Sequence, residues 1–146
     1  MISIEINEGA LYEVNEVNVA GDLIEPADVL LKTVNIGKEN VFNREIVRKD
    51  MIALQDIYAN HGFAYAEIKP IIKEDDENHT ADITYDIRKG PKVRFERITI
   101  TGNQHTRDKV IRRQLKVMEG DYFSGQGLKR SSENLKRLGY FEDVQL

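Results

Sequence analysis

Three histidines and one acidic run are the residues of this chain whose types could do chemistry. His61, His79 and His105 lack the short, regular spacing of zinc-binding histidines. The run EDDE at residues 74–77 lacks the spaced oxygen ligands and closing glutamate of a calcium loop. The sequence also has no cysteine, which excludes thiolate chemistry and cysteine zinc sites. We therefore expect no metal and no cofactor, the histidines at surface or capping positions, and the acidic run in a solvated hairpin turn.

Enzyme signatures are missing as well. The sequence contains no serine-hydrolase elbow, no P-loop and no dinucleotide fingerprint. Carboxylates are plentiful, but no pattern confines a pair of them to a pocket. The sequence therefore predicts no catalytic residue and a protein that is not an enzyme.

Composition indicates one globular domain or two small ones. Of the 146 residues, 40% are hydrophobic and 32% are charged. Charge is divided unevenly: residues 1–90 carry 9 Lys/Arg and 18 Asp/Glu, which makes −9, and residues 91–146 carry 12 and 7, which makes +5. This asymmetry fits either an anionic partner on one side or two solvated surfaces of different composition, and both interpretations stay open.

One stretch of sequence occurs twice, 81 positions apart. Residues 9–22 read GALYEVNEVNVAGD and residues 90–103 read GPKVRFERITITGN. The alternating apolar residues predict a strand at 11–19 and another at 93–100. The alternation breaks at the same place in both copies, which predicts a β-bulge or a crossing point between sheets. The matching apolar residues are Val14, Val17 and Val19 in the first copy and Phe95, Ile98 and Ile100 in the second.

Two helices are expected after each of these strands. In the first copy Pro26 suits a first helical turn and Asn43 a cap, and in the second Thr106 and Ser124 are the candidate caps. The longer helix of each copy should end at a glycine, Gly62 or Gly139. The predicted buried faces are Val29, Leu30 and Val34; Val47, Met51, Leu54 and Tyr58; Val110, Ile111 and Leu115; and Leu128, Leu135 and Leu138.

Two further strands complete the first copy. Residues 66–73 (AEIKPIIK) and 81–87 (ADITYDI) flank the acidic turn, and Gly90 follows the second strand as Gly9 follows ISIEINE. Each repeat is therefore an α+β unit of order β-α-α-β-β, with two helices on one face of a three-stranded mixed sheet. We expect the terminal strand of a preceding unit at 1–9, a complete unit at 10–90, and a unit at 91–146 truncated before its final strand. The junction should lie at residues 90–92, and the opening, which reads as mid-structure, suggests a piece of a longer protein.

The most specific segments resemble a known family. VRFERITITGNQHTRDKVIRRQLKVMEGDYF at 93–123 and LKRLGYFEDV at 135–144 resemble the last POTRA domain of outer-membrane β-barrel assembly factors of the BamA type. LYEVNEVNVAGD and YANHGFAYAEI in the first copy resemble the penultimate one. The resemblance implies a periplasmic part of an outer-membrane protein of a Gram-negative-type envelope. Implied partners are nascent outer-membrane proteins, accessory lipoproteins of the assembly complex, and the protein's own C-terminal membrane barrel.

Two surfaces are candidate binding sites. An exposed edge strand can accept an extended peptide as a further strand, and the candidate edge at 66–73 carries Ala66, Ile68, Pro70 and Ile72. Pro70 removes one donor, which either limits pairing or guards against aggregation. By resemblance, Arg112, Arg113 and Glu119 face an accessory lipoprotein. An ordinary solvated helix end is the open alternative for these three residues.

Other functions remain as alternatives. Within the fold, the chain could be a POTRA pair of a two-partner secretion transporter or of another barrel translocase, or a structural spacer whose edges bind nothing. Small α+β modules also bind RNA, and the basic stretch at 107–116 could contact phosphates. A KH module needs a GxxG loop between its helices, and Gly125 and Gly127 are wrongly spaced for it. We therefore expect no nucleic acid.

The missing final strand of the second copy suggests self-association. Residues 2–8 carry Ile2, Ile4 and Ile6 at the same distances from Gly9 as Ile83, Tyr85 and Ile87 keep from Gly90. Such an orphan strand can fill the gap in the second copy, and a second molecule is the expected donor. The sequence thus predicts a strand-swapped dimer or an open head-to-tail chain. A disordered end of the second copy, or a partly unfolded last unit, is the open alternative.

Overall fold

The computed structural model describes residue 4 and residues 9–146. The chain forms two compact units, one of Met1–Leu54 with Ile68–Ile87 and one of Gln55–Glu67 with Arg88–Leu146. Apart from Ile4, the strand expected at residues 2–8 lies outside the described residues.

The order of elements in the first copy is the predicted β-α-α-β-β, so the α+β class is confirmed. The strands and helices, in chain order, are β1 (Glu13–Gly21), α1 (Ala27–Leu31), a short 3-10 turn (Ile36–Lys38), α2 (Arg44–Asn60), β2 (Glu67–Asp75), β3 (Thr80–Arg88), α3 (Asp108–Arg112) and α4 (Gly125–Arg137).

The three strands form one mixed sheet of order β1-β3-β2. β1 runs parallel to β3, and their register shifts between Val14 and Glu16. This irregularity lies where the alternation breaks in the sequence, so the predicted bulge is confirmed. Only residues 76–79 join β2 to β3, and so short a connection requires antiparallel neighbours, because parallel strands need a long crossover.

β3 lies at the centre of the sheet and supplies much of the core of the first unit. Its alternate residues Ala81, Ile83, Tyr85 and Ile87 are at most 1% exposed. They face the helical layer, because the Tyr85 hydroxyl lies 3.3 Å from a carboxylate oxygen of Asp50 on α2. The helices and the 3-10 turn contribute buried Leu30, Val34, Ile36, Val47 and Leu54.

Val29 does not belong to this core, contrary to the prediction. It is 41% exposed. α1 has only five residues, so it presents a narrow face to the sheet, and Leu30 occupies that face. Pro26 takes the N-cap position of α1 rather than its first turn, a shift of one residue.

The predicted caps of the two long helices are confirmed. Asn43 Oδ1 accepts the N–H of Glu45 at 2.9 Å, and Ser124 Oγ accepts the N–H of Gly127 at 3.0 Å. The glycine after α2, Gly62, has a φ of 95°. This left-handed conformation favours glycine and lets the chain leave the helix there.

Thr106 does not cap a helix, so this prediction is wrong. α3 begins at Asp108, and its N-cap position is Arg107, which makes no capping bond through its side chain. The Thr106 carbonyl accepts a hydrogen bond from Asn103 Nδ2 at 2.9 Å. This loop contact holds Thr106 outside the helix.

The second copy begins its first strand as the first copy does. Phe95 N–H donates to Asp121 O and Phe123 N–H to Val93 O, both at 2.9 Å, around an isolated bridge between Arg94 and Tyr122. The first copy makes the same contacts 81 positions earlier: the N–H groups of Val14 and Phe42 donate to Asn40 O and Tyr12 O around a bridge between Glu13 and Val41. The sequence repeat is thus a repeat of backbone hydrogen bonds.

Beyond that bridge the strand predicted at 93–100 does not form. β1 owes its length to its pairing with β3. From residue 89 to residue 146 the structure contains no counterpart of β3. A strand without a neighbour has no ladder to satisfy its N–H and C=O groups, which explains why the prediction was wrong.

Candidate functional site

β2 is an edge of the three-stranded sheet. Its side chains alternate between the two faces: Ile68 is 6% exposed, and Pro70 and Ile72 are partly buried with it. Ile71 points to the other face and is 47% exposed. The three predicted residues therefore form the inward face of this edge. Ile71 is a residue that we missed, although the alternation in IKPIIK carried the signal.

Ala66 lies before β2 rather than in it. Its N–H donates to Phe63 O at 3.2 Å, and its carbonyl accepts from Gln55 Nε2 at 3.2 Å. Both backbone groups are thus engaged within the protein. β2 itself begins at Glu67, one residue after the start of the predicted edge strand.

The opposite edge, β1, is partly covered. Residues 40–42 lie beside its beginning, where Val14 donates its N–H to Asn40 O and Val41 forms a bridge with Glu13. α1 and the 3-10 turn also pack against β1. β2 is therefore the more accessible edge of this sheet.

Arg112 and Glu119, two of the predicted docking residues, bracket the backbone of Ile98. Glu119 Oε1 accepts the Ile98 N–H at 2.8 Å, and Arg112 Nη2 donates to the Ile98 carbonyl at 2.9 Å. The two side chains are also 3.7 Å apart as an ion pair. They therefore hold residue 98 against the turn after α3, a structural task that the sequence did not reveal.

Asp108 completes this charged group. Arg112 Nε donates to Asp108 Oδ2 at 2.7 Å, and this hydrogen bond, with the charges of Asp108 and Glu119, raises the pKa of Arg112 above its usual range. Arg113 lies at the C-cap of α3 and is exposed. Of the three predicted docking residues, Arg113 is therefore the exposed one that does not take part in holding Ile98.

Two of the histidines and the acidic run, which the sequence analysis considered for chemistry, lie at a helix end or in a turn. His61 Nδ1 lies 2.8 Å from Ile57 O at the end of α2, and His79 lies in the β2–β3 turn with a φ of 53°. Asp75 accepts the N–H groups of Glu77 and Asn78 at 3.0 and 3.1 Å, which closes the acidic turn.

Over residues 9–146 and Ile4, no cluster of three acidic, histidine or cysteine side chains could hold a metal ion. None of the helices within that part of the chain is long and apolar enough to cross a membrane.

Asp50 is a buried carboxylate that sequence analysis did not single out. It is 0% exposed, and its two oxygens accept the N–H groups of Asn35 and Ile36, each at 2.8 Å. It also accepts the Tyr85 hydroxyl and the Asn35 side-chain amide. These hydrogen bonds occupy the acceptor positions of the Asp50 carboxylate. Asp50 is therefore a structural residue and not a reactive group.

Comparison with known proteins supports the repeat. The family model described as "POTRA: Surface antigen variable number repeat" matches residues 12–90 and again 93–146. Outer membrane protein assembly factor BamA of Nitratidesulfovibrio vulgaris is 38% identical over 99% of this chain, and that of Neisseria meningitidis serogroup B is 33% identical over 99%. The chain spans 19% and 18% of the length of these two relatives.

Solved structures share the fold. The POTRA3-5 structure of BamA from Haemophilus influenzae superimposes with a TM-score of 0.79 at 21% identity, covering 92% of this chain and 53% of that one. BamA from Haemophilus ducreyi lacking POTRA domains 1-3 also gives 0.79, at 23% identity, over 92% of this chain and 25% of that one. With both copies matched by the family model, the chain belongs to the POTRA family.

Proposed function

We propose that this chain is a periplasmic scaffold of the outer-membrane β-barrel assembly machinery, and that it binds nascent barrel proteins without catalysis. The relatives at 38% and 33% identity are named as assembly factors. The observation that carries the binding mode is the position of β2 at the edge of the sheet. An edge strand offers N–H and C=O groups to an extended peptide.

The chemistry of β2 suits such clients. Backbone hydrogen bonds do not depend on the side chains of the bound peptide, so one edge can bind many different barrel strands. Ile71, 47% exposed, adds an apolar contact on one face of the strand. Pro70 lacks an N–H, which limits how far a ladder can run and protects the edge against pairing with further copies.

The test is a titration with a synthetic peptide that has the sequence of a barrel strand. Binding is monitored through the backbone amide resonances of residues 67–73. We expect those resonances to shift, and an alternately N-methylated version of the same peptide to lose binding because it cannot donate hydrogen bonds. Ile71→Glu should weaken binding about 10-fold through loss of an apolar contact. Ile52→Glu is the matched control, because Ile52 on α2 is 48% exposed.

A spacer without binding activity gives a different result. Unchanged resonances at 67–73 at millimolar peptide would favour the spacer. Equal binding of the N-methylated peptide would contradict strand addition and point to side-chain recognition instead.

We further propose that the end of α3 and the following turn dock an accessory lipoprotein, with Arg113, Arg112 and Glu119 at the contact. The positive charge of residues 91–146, +5 from 12 basic and 7 acidic residues, favours an acidic partner surface. Arg113 carries the cleanest test, because Arg112 and Glu119 also hold Ile98.

Arg113→Glu should weaken binding to purified accessory lipoproteins of the assembly complex while the melting temperature stays unchanged. Arg107→Glu, an equal charge change at the other end of α3, is the control. Glu119→Gln tests the third residue, since the amide oxygen can still accept the Ile98 N–H. If neither Arg113→Glu nor Glu119→Gln alters the affinity, this docking surface is refuted.

A further inference from the structure

Three basic side chains and two aromatic rings alternate in the second compact unit, to which all five residues belong. Lys89 Nζ lies 5.7 Å and Lys92 Nζ 5.3 Å from the ring centre of Phe63. Lys92 Nζ is also 5.0 Å from the ring centre of Tyr122, and Arg94 Cζ lies 3.8 Å from that same centre. Each distance is within the roughly 6 Å over which a ring attracts a cation. The five residues therefore form one continuous cation–aromatic row.

The first copy shows that the local fold does not require this row. Glu13 and Val41 stand 81 positions before Arg94 and Tyr122. Both pairs form the same isolated antiparallel bridge. An acidic and an apolar residue thus support the bridge as well as a basic and an aromatic residue do. The cation and the ring of the second copy must therefore be explained by something other than the bridge.

The charge around the bridge is reversed between the two copies. Residues 88–97 contain five basic residues and one acidic residue, which makes +4. The corresponding residues 7–16 contain three acidic residues and no basic one, which makes −3. The positive charge is thus a property of the second copy alone, and it suits an anionic partner.

The guanidinium of Arg94 is held in a fixed position on the ring of Tyr122. Its Nη1 donates to Gly120 O at 2.7 Å, and its Cζ lies 3.8 Å from the ring centre. A guanidinium has five N–H donors in one plane, so this hydrogen bond leaves others for a partner. Because the plane is already fixed, a partner that binds it costs less side-chain entropy.

Lys92 and Arg94 are not paired with a carboxylate of any residue that the structure describes. Both are exposed. Asp121, which precedes Tyr122 in the sequence, accepts the N–H of Met118 at 2.9 Å instead. The two cations therefore carry positive charge to the surface that this part of the chain does not neutralise.

The exposed residues at the row are of types that are common in protein interfaces. Tyr122 is 47% exposed, and Met118, in the turn before it, is 68% exposed. Tyrosine, methionine and arginine are enriched where proteins bind each other. A guanidinium in a fixed plane also matches the two oxygens of a carboxylate, whereas a fluid lipid surface has no fixed oxygen positions to match it. The row therefore suits an acidic protein segment better than an anionic membrane.

We propose that Lys92, Arg94 and Tyr122 form a binding site for an extended acidic segment of a partner protein. One carboxylate of the segment accepts from the remaining N–H donors of Arg94, and a second carboxylate binds the ammonium group of Lys92. Alternate residues of an extended segment lie on one face, about 7 Å apart, and the two cations contact the same ring. The exposed part of Tyr122 packs against the segment between its two carboxylates.

This inference does not rest on the proposed client binding at β2 or on the lipoprotein docking at the end of α3. It uses different residues, and its probe is neither a barrel strand nor a lipoprotein. Failure of either proposed contact therefore leaves this site untouched, and its own failure leaves both of them in place.

The test uses a fluorescein-labelled peptide in which glutamate and serine alternate. The full chain is added to it, and binding is measured by fluorescence anisotropy. We expect binding that weakens as salt is raised, and no binding of the same peptide with glutamine in place of glutamate. Arg94→Gln should weaken binding about 3- to 10-fold. Arg130→Gln is the control, because Arg130 is exposed on α4 of the same unit and its loss changes the net charge equally.

Tyr122→Val separates the effect of the row from that of net charge. Valine is the residue at the corresponding position of the first copy, where Val41 forms the same bridge. The variant should therefore keep its fold, and it keeps every charge. We expect it to weaken peptide binding about 3-fold or more, because Lys92 and Arg94 lose the ring that they share. Thermal denaturation checks that each variant is folded.

Three results would overturn the proposal. The first is no binding of the glutamate peptide at millimolar protein. The second is an affinity loss for Arg130→Gln as large as for Arg94→Gln, or an unchanged affinity for Tyr122→Val, since either would make binding a matter of net charge alone. The third is binding to phosphatidylglycerol vesicles that Arg94→Gln weakens, in the absence of peptide binding, which would make the site a membrane contact.

Discussion

Asp50 on α2 and Ser131 on α4 are 81 positions apart and hold equivalent backbone groups. Asp50 Oδ1 accepts the N–H of Asn35 and Ser131 Oγ accepts the N–H of Lys116, both at 2.8 Å, and these two donors are also 81 positions apart. Both side chains are 0% exposed. Each copy thus ties the loop after its first helix to its second helix through one buried polar side chain.

Replacing Asp50 should be among the more destabilising single changes in the first unit. Asp50→Ala leaves the N–H groups of Asn35 and Ile36 without their acceptor, at a cost of about 2–4 kcal/mol in the free energy of unfolding. Asp50→Asn keeps one acceptor oxygen and should lose less. Urea denaturation measures both, with Asp56→Ala as the control because Asp56 is exposed on the same helix. Equal stability of Asp50→Ala and Asp56→Ala would contradict the role of Asp50.

Ser131→Ala should cost less, about 1–2 kcal/mol, because the hydroxyl accepts a single N–H. The hydroxyl also donates to Gly127 O at 2.7 Å, and that carbonyl remains bonded within α4 after the change. Ser132→Ala is the neighbouring control. Urea denaturation should separate the two variants, and a loss for Ser132→Ala as large as for Ser131→Ala would argue against a specific buried bond.

Gly127 and Gly125 should respond in opposite ways to the same substitution. A Cβ on Gly127 would lie 2.7 Å from Val117 Cγ1 and 3.3 Å from Lys116 O, whereas one on Gly125 would meet nothing closer than 3.7 Å. Gly127→Ala should therefore lower the melting temperature although alanine is the better helix former. Gly125→Ala should be neutral or stabilise by up to about 1 kcal/mol. Equal shifts in thermal denaturation would show that Val117 does not constrain Gly127.

Tyr85 should make stability fall at high pH. Burial, and then the charge of Asp50 and the hydrogen bond to it, raise the pKa of Tyr85 above its ordinary 10.0. The folded state thus favours the neutral hydroxyl, while the unfolded chain ionises near pH 10. The contribution of this hydroxyl is therefore complete below pH 10 and is lost as pH rises further.

Denaturation at pH 8, 10 and 11 checks this expectation. The free energy of unfolding should fall more steeply with pH for the wild type than for Tyr85→Phe. Tyr65→Phe is the control, because Tyr65 is 74% exposed and its replacement should leave the slope unchanged. Identical slopes for all three proteins would contradict a buried, neutral Tyr85.

Local features of the fold were predictable because their causes lie within a few residues. Asn43 and Ser124 cap helices through bonds to residues two and three positions on. The bulge after Val14 follows from one break in the alternation. The repeat, read as identical spacing of apolar residues and glycines, correctly predicted the order of elements in the first copy.

Long-range partners decided the rest. The hydrogen bonds of Asp50 and Ser131 join each of them to a residue 15 positions earlier. Neither aspartate nor serine is a residue type whose burial could be predicted from the sequence. Arg112 and Glu119 read as surface charges, yet they hold a backbone segment 14 and 21 residues away. Residues 93–100 have the same strand pattern as residues 12–19, but a pattern only makes a strand possible. The sequence by itself determined which segments suit a strand, a helix or a cap, and only the tertiary structure decided which found a partner, because a hydrogen-bonded ladder needs two sides.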